Sequence, residues 1–228
     1  MKQLTIYPYD PIQIENGLTC IAADSSRVVW QLAQFFNGEN DTFATYSQNG
    51  KIVDNKEIVY VGDIAVLPQF EKMYGKQLVK LIQKHIDSEL LEQLYTLDMQ
   101  MRSKLNMVCL NNDLPVALSS DWNLTMLLKY VGVHVEVPVV TGFCDIIVSI
   151  IDLANRLHDD SLFVLMNVKN NLSDQQIIQL SSEARMKQVS ILLLDRTTFE
   201  DAQVLVSDDI KSVYIDQDFV DFRGNELK

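Results

Sequence analysis

Three polar residues near the end of the chain have the types and spacing of a metal-dependent nuclease site. Asp209 and Lys211 resemble the acid-x-lysine pair of such sites, in which carboxylates bind magnesium and the lysine stabilises negative charge. A further carboxylate is expected from the preceding strand, and Asp195, which ends the apolar run 191–194, is the candidate. Because so short a motif often occurs by chance, a nuclease is the alternative interpretation of this sequence.

The strand, loop and helix predicted over residues 18–36 lie where a nucleotide-binding fold has its phosphate loop. That loop needs glycines, so that backbone N–H groups can surround the phosphates, and a lysine that reaches the terminal phosphates. Residues 22–27 read Ala-Ala-Asp-Ser-Ser-Arg, and Asp24 places a carboxylate where phosphate would bind. We therefore expect an ordinary capped helix and no nucleotide cofactor.

One polar feature is regular over several helical turns. Lysines recur every four residues and, on a helix, lie along one side, with neighbouring charges within about 6 Å. We call this set the lysine stripe: Lys72, Lys76, Lys80 and Lys84. Like charges at this spacing repel by a few tenths of a kcal/mol each, which a polyanion such as a nucleic-acid backbone would relieve. A solvated helix face is the alternative interpretation.

The charge distribution favours the lysine stripe as the anion-binding surface. The chain has 228 residues and a net charge of −12, which by itself argues against a phosphate-rich partner. However, residues 68–105 carry 6 basic and 5 acidic side chains, whereas residues 1–67 carry 4 and 8, and residues 143–228 carry 8 and 15. Arg102 and Lys104 follow the stripe within the same basic segment and join it as candidate nucleic-acid contacts.

The hydrophobic pattern predicts a helical segment inserted into an α/β domain. From about residue 68 to 110, apolar residues recur every three or four positions, which predicts one long helix or two joined by a kink. Asp121 and Trp122 are predicted to open a further helix that ends at Gly132, and residues 133–137 alternate like a short strand. The helical leg is therefore assigned to residues 68–142.

Both ends of the chain predict a parallel sheet covered by helices. A strand at 162–166, a helix at 174–186 and a strand at 189–194 have the order of a parallel crossover unit. Shorter strands are predicted near the amino terminus, and Asn49-Gly50 is a hairpin turn signal. The α/β head is therefore assigned to residues 1–67 and 143–228.

The number and spacing of the cysteines indicate that the protein is found in a reducing compartment. Cys20, Cys109 and Cys144 are odd in number, widely spaced and surrounded by apolar residues, which fits neither a disulfide framework nor a zinc site. No apolar run has the length of a membrane span or of a signal peptide. We expect a cytoplasmic protein without a membrane partner.

Four stretches in register resemble the small ring-forming spacer-acquisition protein of type II-A CRISPR systems. The first is an apolar strand running into Gly62-Asp63-Ile64, and the second reads Lys-Tyr-Val-Gly-Val-His-Val-Glu over residues 129–136. The third is a strand at 162–167 followed by Leu-Ser-Asp-Gln-Gln, and the fourth reads Val-Ser-Ile-Leu-Leu-Leu-Asp-Arg over residues 189–196. Together they extend over residues 58–196, in the order that the family has.

This resemblance implies a non-enzymatic homotetrameric ring that threads double-stranded DNA during CRISPR adaptation, an antiviral defence. The family's head is related to P-loop ATPases without the nucleotide site, and the partners it implies include other adaptation proteins and the RNA-guided effector nuclease. Calcium ions brace the family's helical leg. Here the candidate ligands are Asp113, Asp121 and Glu136, because carboxylates are the ligands that calcium prefers. A protein-binding scaffold that does not bind DNA is a further alternative.

Overall fold

The chain divides into two compact units in a computed structural model that describes residues 2–53, 57–119, 121–203, 210–218 and 220–224. The α/β unit comprises Met1–Gln69 and Val137–Lys228, and the helical unit comprises Phe70–Glu136. Within the described residues, no helix combines the length and the apolar character that crossing a bilayer needs.

A six-stranded, largely parallel sheet forms the centre of the α/β unit. Its strands, in spatial order, are β10 (Asp221–Arg223), β9 (Ile210–Ile215), β3 (Gly17–Ala23), β8 (Ser190–Arg196), β7 (Leu162–Met166) and β6 (Ile58–Asp63). Only the β9–β10 pair is antiparallel among these strands. Residues 17–23 and 190–195 are buried without interruption, as expected for strands covered on both faces.

Helices cover this sheet and close its core. They are α1 (Ser26–Phe36), α5 (Phe143–Arg156), α6 (Asp174–Met186) and the short α7 (Phe199–Gln203). Helix α6 starts with a capping box between Ser173 and Gln176, and it links the parallel neighbours β7 and β8. The predicted crossover unit is therefore confirmed.

A four-stranded antiparallel sheet completes the α/β unit. In spatial order it contains β2 (Ile12–Ile14), β1 (Lys2–Ile6), β4 (Ala44–Gln48) and β5 (Lys51–Ile52). The predicted hairpin is confirmed, since Asn49 and Gly50 join β4 to β5 with φ of 52° and 76°. Positive φ at both central residues is the requirement of the tight turn that matches strand twist.

The helical unit contains α2 (Phe70–His85), α3 (Ser88–Asn111) and α4 (Leu124–Tyr130). The long apolar segment is two helices, because the Asp87 carboxylate accepts a hydrogen bond from the Leu90 N–H at 2.8 Å and starts α3. The predicted start of the next helix at Asp121 is wrong. Asn123 caps α4 instead, accepting from the N–H groups of Thr125 and Met126.

The predicted strand over residues 133–137 is also wrong. The segment does not pair with a strand in the described part of the chain, although valine alternates with other residues along it. Val135 is only 4% exposed. Its N–H donates a hydrogen bond to Glu71 Oε2 at 2.7 Å instead of to a neighbouring strand. A side chain has replaced the missing ladder partner.

Candidate nucleic-acid interface

The lysine stripe lies along the exposed side of α2. All four lysines are exposed, whereas Phe70 and Tyr74 of the same helix are 2% and 0% exposed. Each of these aromatic residues precedes a stripe lysine by two positions, which places it about 200° away around the helix. Phe70 and Tyr74 are therefore on the side of α2 opposite Lys72 and Lys76, respectively.

The charges of the lysine stripe are not neutralised within the described residues. None of the four ammonium groups has a carboxylate within ion-pair distance there. Successive lysines are separated by about 6 Å along the helix axis, since each residue rises about 1.5 Å. The result is a row of four positive charges available to an extended anion.

Two hydrogen bonds within the helical unit hold α2 in place. Glu71 Oε2 accepts from Val135 N, and Gln83 Nε2 donates to Thr125 Oγ1 of α4 at 2.9 Å. Gly75 leaves room for the first of these contacts, because a methyl group at this position would stand 2.5 Å from Glu71 Oε1. These contacts lie at both ends of the helix that carries the lysine stripe.

Replacing Glu71 with alanine is expected to lower the free energy of unfolding by about 1–2 kcal/mol. The reason is that the buried Val135 N–H would lose its acceptor and remain unsatisfied. Glu71→Gln keeps a carbonyl oxygen at the same place and is expected to retain most of the stability. Urea denaturation of both variants measures the difference, and equal losses would contradict this role.

Arg102 makes three hydrogen bonds within the helical unit. Its Nε donates to Asp98 Oδ2 at 2.5 Å, one terminal nitrogen donates to the Ser119 carbonyl, and the other donates to the Asp121 carbonyl at 3.2 Å. The hydrogen bond to Asp98 raises the pKa of the guanidinium above its ordinary value. Arg102 therefore ties α3 to the segment before α4, and its contact with DNA stays a prediction. Lys104 is exposed on α3.

An apolar groove of about 650 Å³ adjoins this arginine. Its walls are formed by α3, α4 and the segment between them, and include Met101, Leu105, Leu118, Met126 and Tyr130. Trp122 also lines it, in an edge-to-face contact with Tyr95 at 5.8 Å between ring centroids. The sequence pattern alone did not indicate this groove, because its two walls are joined by a segment without helical or strand periodicity.

The predicted calcium ligands do not form a set. Asp113 follows α3 with a φ of 52°, Asp121 lies beside Arg102, and Glu136 is exposed at the end of the helical unit. Within the described parts of the chain, no three His, Cys, Asp or Glu side chains meet in a way that could hold a metal ion. These residues do not fit the expected ion, and calcium binding stays a prediction of the resemblance.

The structure separates Asp195 and Lys211, two of the residues proposed for a nuclease site. Asp209 lies outside the described residues, and Lys211 forms an ion pair with Glu15 at 2.5 Å. On the intervening strand β3, Asp195 is level with Ala22 whereas Lys211 is level with Thr19. Asp195 and Lys211 are thus about 10 Å apart along the strands and a similar distance apart across them. The structure does not bring these two together.

Asp195 is nevertheless an unusual residue. It is 2% exposed, and neither carboxylate oxygen has a hydrogen-bond partner among the described residues. Burial raises its pKa to about 6, although nearby backbone N–H groups of residues 167–169 and the charge of Lys169 lower it. The Lys169 ammonium is also buried without a partner in that part of the chain. Lys169 is 26 residues from Asp195 and belongs to no motif, so residue spacing could not indicate that the two lie close together.

The place of a phosphate loop is occupied by an ordinary turn into α1. Ser25 takes the N-cap position without a side-chain hydrogen bond, and the Asp24 carboxylate accepts from Gln217 Nε2 at 2.5 Å. The Asp24 carbonyl accepts from Arg196 Nε at 3.2 Å. A carboxylate and a glutamine amide thus stand at the helix start, where a nucleotide-binding fold would present backbone N–H groups to phosphate.

Comparison with known proteins gives both a family and a fold. No curated protein matches the chain. A solved structure, the crystal structure of Stu0660 of Streptococcus thermophilus, is similar with a TM-score of 0.53 and 12% identity, over 93% of this chain and 74% of that one. At this identity the likeness shows the fold alone. Residues 38–219 match the family described as CRISPR-associated protein (Cas_Csn2), and since this match spans most of the chain, the chain belongs to the Cas_Csn2 family.

Proposed function

We propose that this protein is a non-catalytic, double-stranded DNA-binding subunit of a homotetrameric ring that acts in CRISPR spacer acquisition. Membership of the Cas_Csn2 family supports a role in adaptation. The observation that carries DNA binding is the lysine stripe, a row of exposed lysines without a carboxylate partner among the described residues of a chain whose net charge is −12.

The chemistry of the lysine stripe favours contact with phosphates over recognition of bases. Lysine presents a point charge on a flexible stem, and specific base recognition instead relies on bidentate or shape-matched side chains. Such contacts position a duplex without reading its sequence. The acidic surplus of the α/β unit would repel DNA from other surfaces, so that the lysine stripe lines the bore of the ring.

The α/β unit, in this proposal, is a P-loop-type fold that has lost its nucleotide site and serves assembly. In support, residues 22–26 contain neither glycine nor lysine, and Asp24 stands at the start of α1. Partners would be the other adaptation proteins and the RNA-guided effector nuclease. The scaffold alternative, in which the protein binds these partners and not DNA, is an outcome of the experiment below.

A closed ring can load only onto free ends, which defines the experiment. Linear duplex and covalently closed circular duplex of the same sequence are compared for retention at one salt concentration, and linear duplex is then titrated with salt. We expect linear DNA to be retained and circular DNA to be lost. The affinity for linear DNA should fall with a log–log slope of about −0.9 for each phosphate neutralised.

Equal retention of both forms would contradict the ring. Failure to retain linear duplex at low salt, with tight binding to adaptation proteins, would favour the scaffold. Cleavage of linear DNA with magnesium or manganese would favour the nuclease.

A further inference from the structure

Three asparagine–glycine pairs in the chain could each undergo the same covalent reaction. They are Asn16-Gly17, Asn37-Gly38 and Asn49-Gly50. In such a pair the main-chain nitrogen of the glycine can attack the side-chain amide carbon of the asparagine, because glycine has no Cβ to obstruct the approach. The three pairs differ in how firmly the fold holds these two groups, and this difference decides which of them reacts.

The first pair is held at the centre of the six-stranded sheet. Gly17 is the buried first residue of β3, and its N–H donates to the Val189 carbonyl at 2.8 Å. The side-chain oxygen of Asn16 accepts from the Ser190 hydroxyl at 3.1 Å. Because β3 is paired with β8 on one side and β9 on the other, freeing the Gly17 nitrogen requires this part of the sheet to unfold.

The second pair is exposed, but it is tied to the end of α1. The Gly38 N–H donates to the Phe35 carbonyl at 3.0 Å, and Asn37 Nδ2 donates to Glu39 Oε1 at 2.7 Å. The attacking nitrogen and the amide are thus both engaged. Phe35 and Phe36 are buried and fix this end of the helix in the core.

The third pair lies at the tip of the β4–β5 hairpin, where little structure holds it. Both residues are exposed, and apart from the adjacent residues no atom stands within 4 Å of the place that a Cβ on Gly50 would take. Among the described residues, the Gly50 N–H donates to no main-chain carbonyl. Strand β5 is an edge strand of only two residues, both exposed, so the hairpin can open locally without unfolding the core.

We propose that Asn49 is the residue at which this protein deamidates, through a succinimide formed while the hairpin is open. The Gly50 nitrogen forms a bond with Asn49 Cγ and gives up its proton. The bond between Cγ and Nδ2 breaks, and Nδ2 leaves with that proton as ammonia. Water then opens the ring at either carbonyl and yields aspartate or isoaspartate. The net reaction exchanges an amide for a carboxylic acid, consumes one water and needs neither an oxidant nor a reductant.

The two products have different effects on the hairpin. Aspartate leaves the main chain unchanged, and Asp-Gly suits the same tight turn as Asn-Gly. Isoaspartate carries the main chain through its side-chain carbon, so the turn gains a bond and no longer fits the φ pair of 52° and 76°. The register of Ser47 with Ile52 and of Gln48 with Lys51 is then lost, which releases β5 from the sheet.

Peptide mapping by mass spectrometry tests the choice of site. The full-length chain is incubated at mildly alkaline pH, once folded and once in urea, and conversion is followed at all three pairs. In urea the three should react within about three-fold of one another, because the unfolded chain exposes each of them. In the folded chain Asn49 should react at least about ten-fold faster than Asn16 and Asn37, because the hairpin opens more readily than a central strand or a packed helix end.

A variant checks the site independently. Asn49→Gly removes the amide and leaves a glycine pair that suits the turn. Isoaspartate in the folded chain is measured as methyl transfer from S-adenosylmethionine by an isoaspartyl methyltransferase, and it should fall at least about five-fold in this variant. An unchanged yield would overturn the proposal, as would a folded chain in which Asn16 or Asn37 reacts as fast as Asn49.

Limited trypsin digestion tests the release of β5. Chains that contain isoaspartate should be cleaved after Lys51 faster than unmodified chains, because a released strand fits a protease more readily than a paired one. Equal cleavage of the two forms would show that β5 stays paired and would overturn this consequence. None of these measurements depends on DNA retention, so the proposed function stands or fails separately.

Discussion

Replacing Lys76 and Lys80 with glutamate is expected to weaken retention of linear duplex at least about 100-fold at 0.15 M salt, because two phosphate contacts per subunit become repulsions. The salt dependence should change as well, with the log–log slope reduced by about 0.9 for each phosphate that is no longer neutralised. Both lysines are exposed on α2, so the fold should not change. Filter retention or band shift at several salt concentrations measures both quantities.

A matched control separates the position of the charges from their number. Arg27→Glu with Lys51→Glu makes the same change in net charge on exposed residues of the α/β unit. This control is expected to retain DNA nearly as well as the unchanged protein. If the control loses as much affinity as the stripe variant, net charge and not the lysine stripe governs binding. If neither variant loses affinity, the lysine stripe is not the DNA-binding surface.

The second large effect concerns the pH dependence of stability at Asp195. Burial raises its pKa in the folded chain from 3.8 to about 6, so folding disfavours the ionised form. A raised folded pKa gives stability that is complete below about pH 4 and is lost as the pH rises through about 6. By pH 8 the ionised carboxylate should cost about 3 kcal/mol, since one pKa unit corresponds to about 1.4 kcal/mol.

Asp195→Asn removes this titration and should therefore stabilise the chain more at high pH than at low pH. The difference in unfolding free energy between variant and unchanged protein should grow by about 2 kcal/mol from pH 4 to pH 8. Comparing two pH values cancels any fixed cost of fitting the amide. Urea denaturation at both values provides the measurement.

Lys169 provides the control for the pH effect. Its charge lowers the pKa of Asp195, so Lys169→Met should raise that pKa further and steepen the pH dependence. A stability difference for Asp195→Asn that is the same at pH 4 and pH 8 would mean that the carboxylate does not titrate in this range. The buried-carboxylate account would then be wrong.

Local patterns predicted those elements whose partners are close in sequence. The crossover of β7, α6 and β8 could be assigned because buried strands leave continuous apolar runs and Ser173 is an N-cap residue at the start of the helix. The segment 133–137 was assigned wrongly, because alternating valines describe a residue pattern and not the presence of a neighbouring strand. Its N–H partner, Glu71, is 64 residues away.

The same distinction applies to the site. The lysine stripe is visible in the sequence because its members are four residues apart on one helix. Arg102 looked equally available, yet its acceptors at Ser119 and Asp121 are 17 and 19 residues away and become apparent only in the folded chain. The sequence shows which candidate residues are positively charged. Whether each of these charges is paired within the protein depends on tertiary contacts, which residue spacing does not reveal.

The break at Asp87 uncouples the rotational phase of α2 from that of α3. A single-residue insertion in α2 would turn every lysine before it by about 100° relative to those after it. Within one uninterrupted rod, that rotation would also displace the leucines further along. Here α3 has its own N-cap, in which the Asp87 carboxylate accepts from the Leu90 N–H, so such an insertion in α2 need not rotate the side chains of α3.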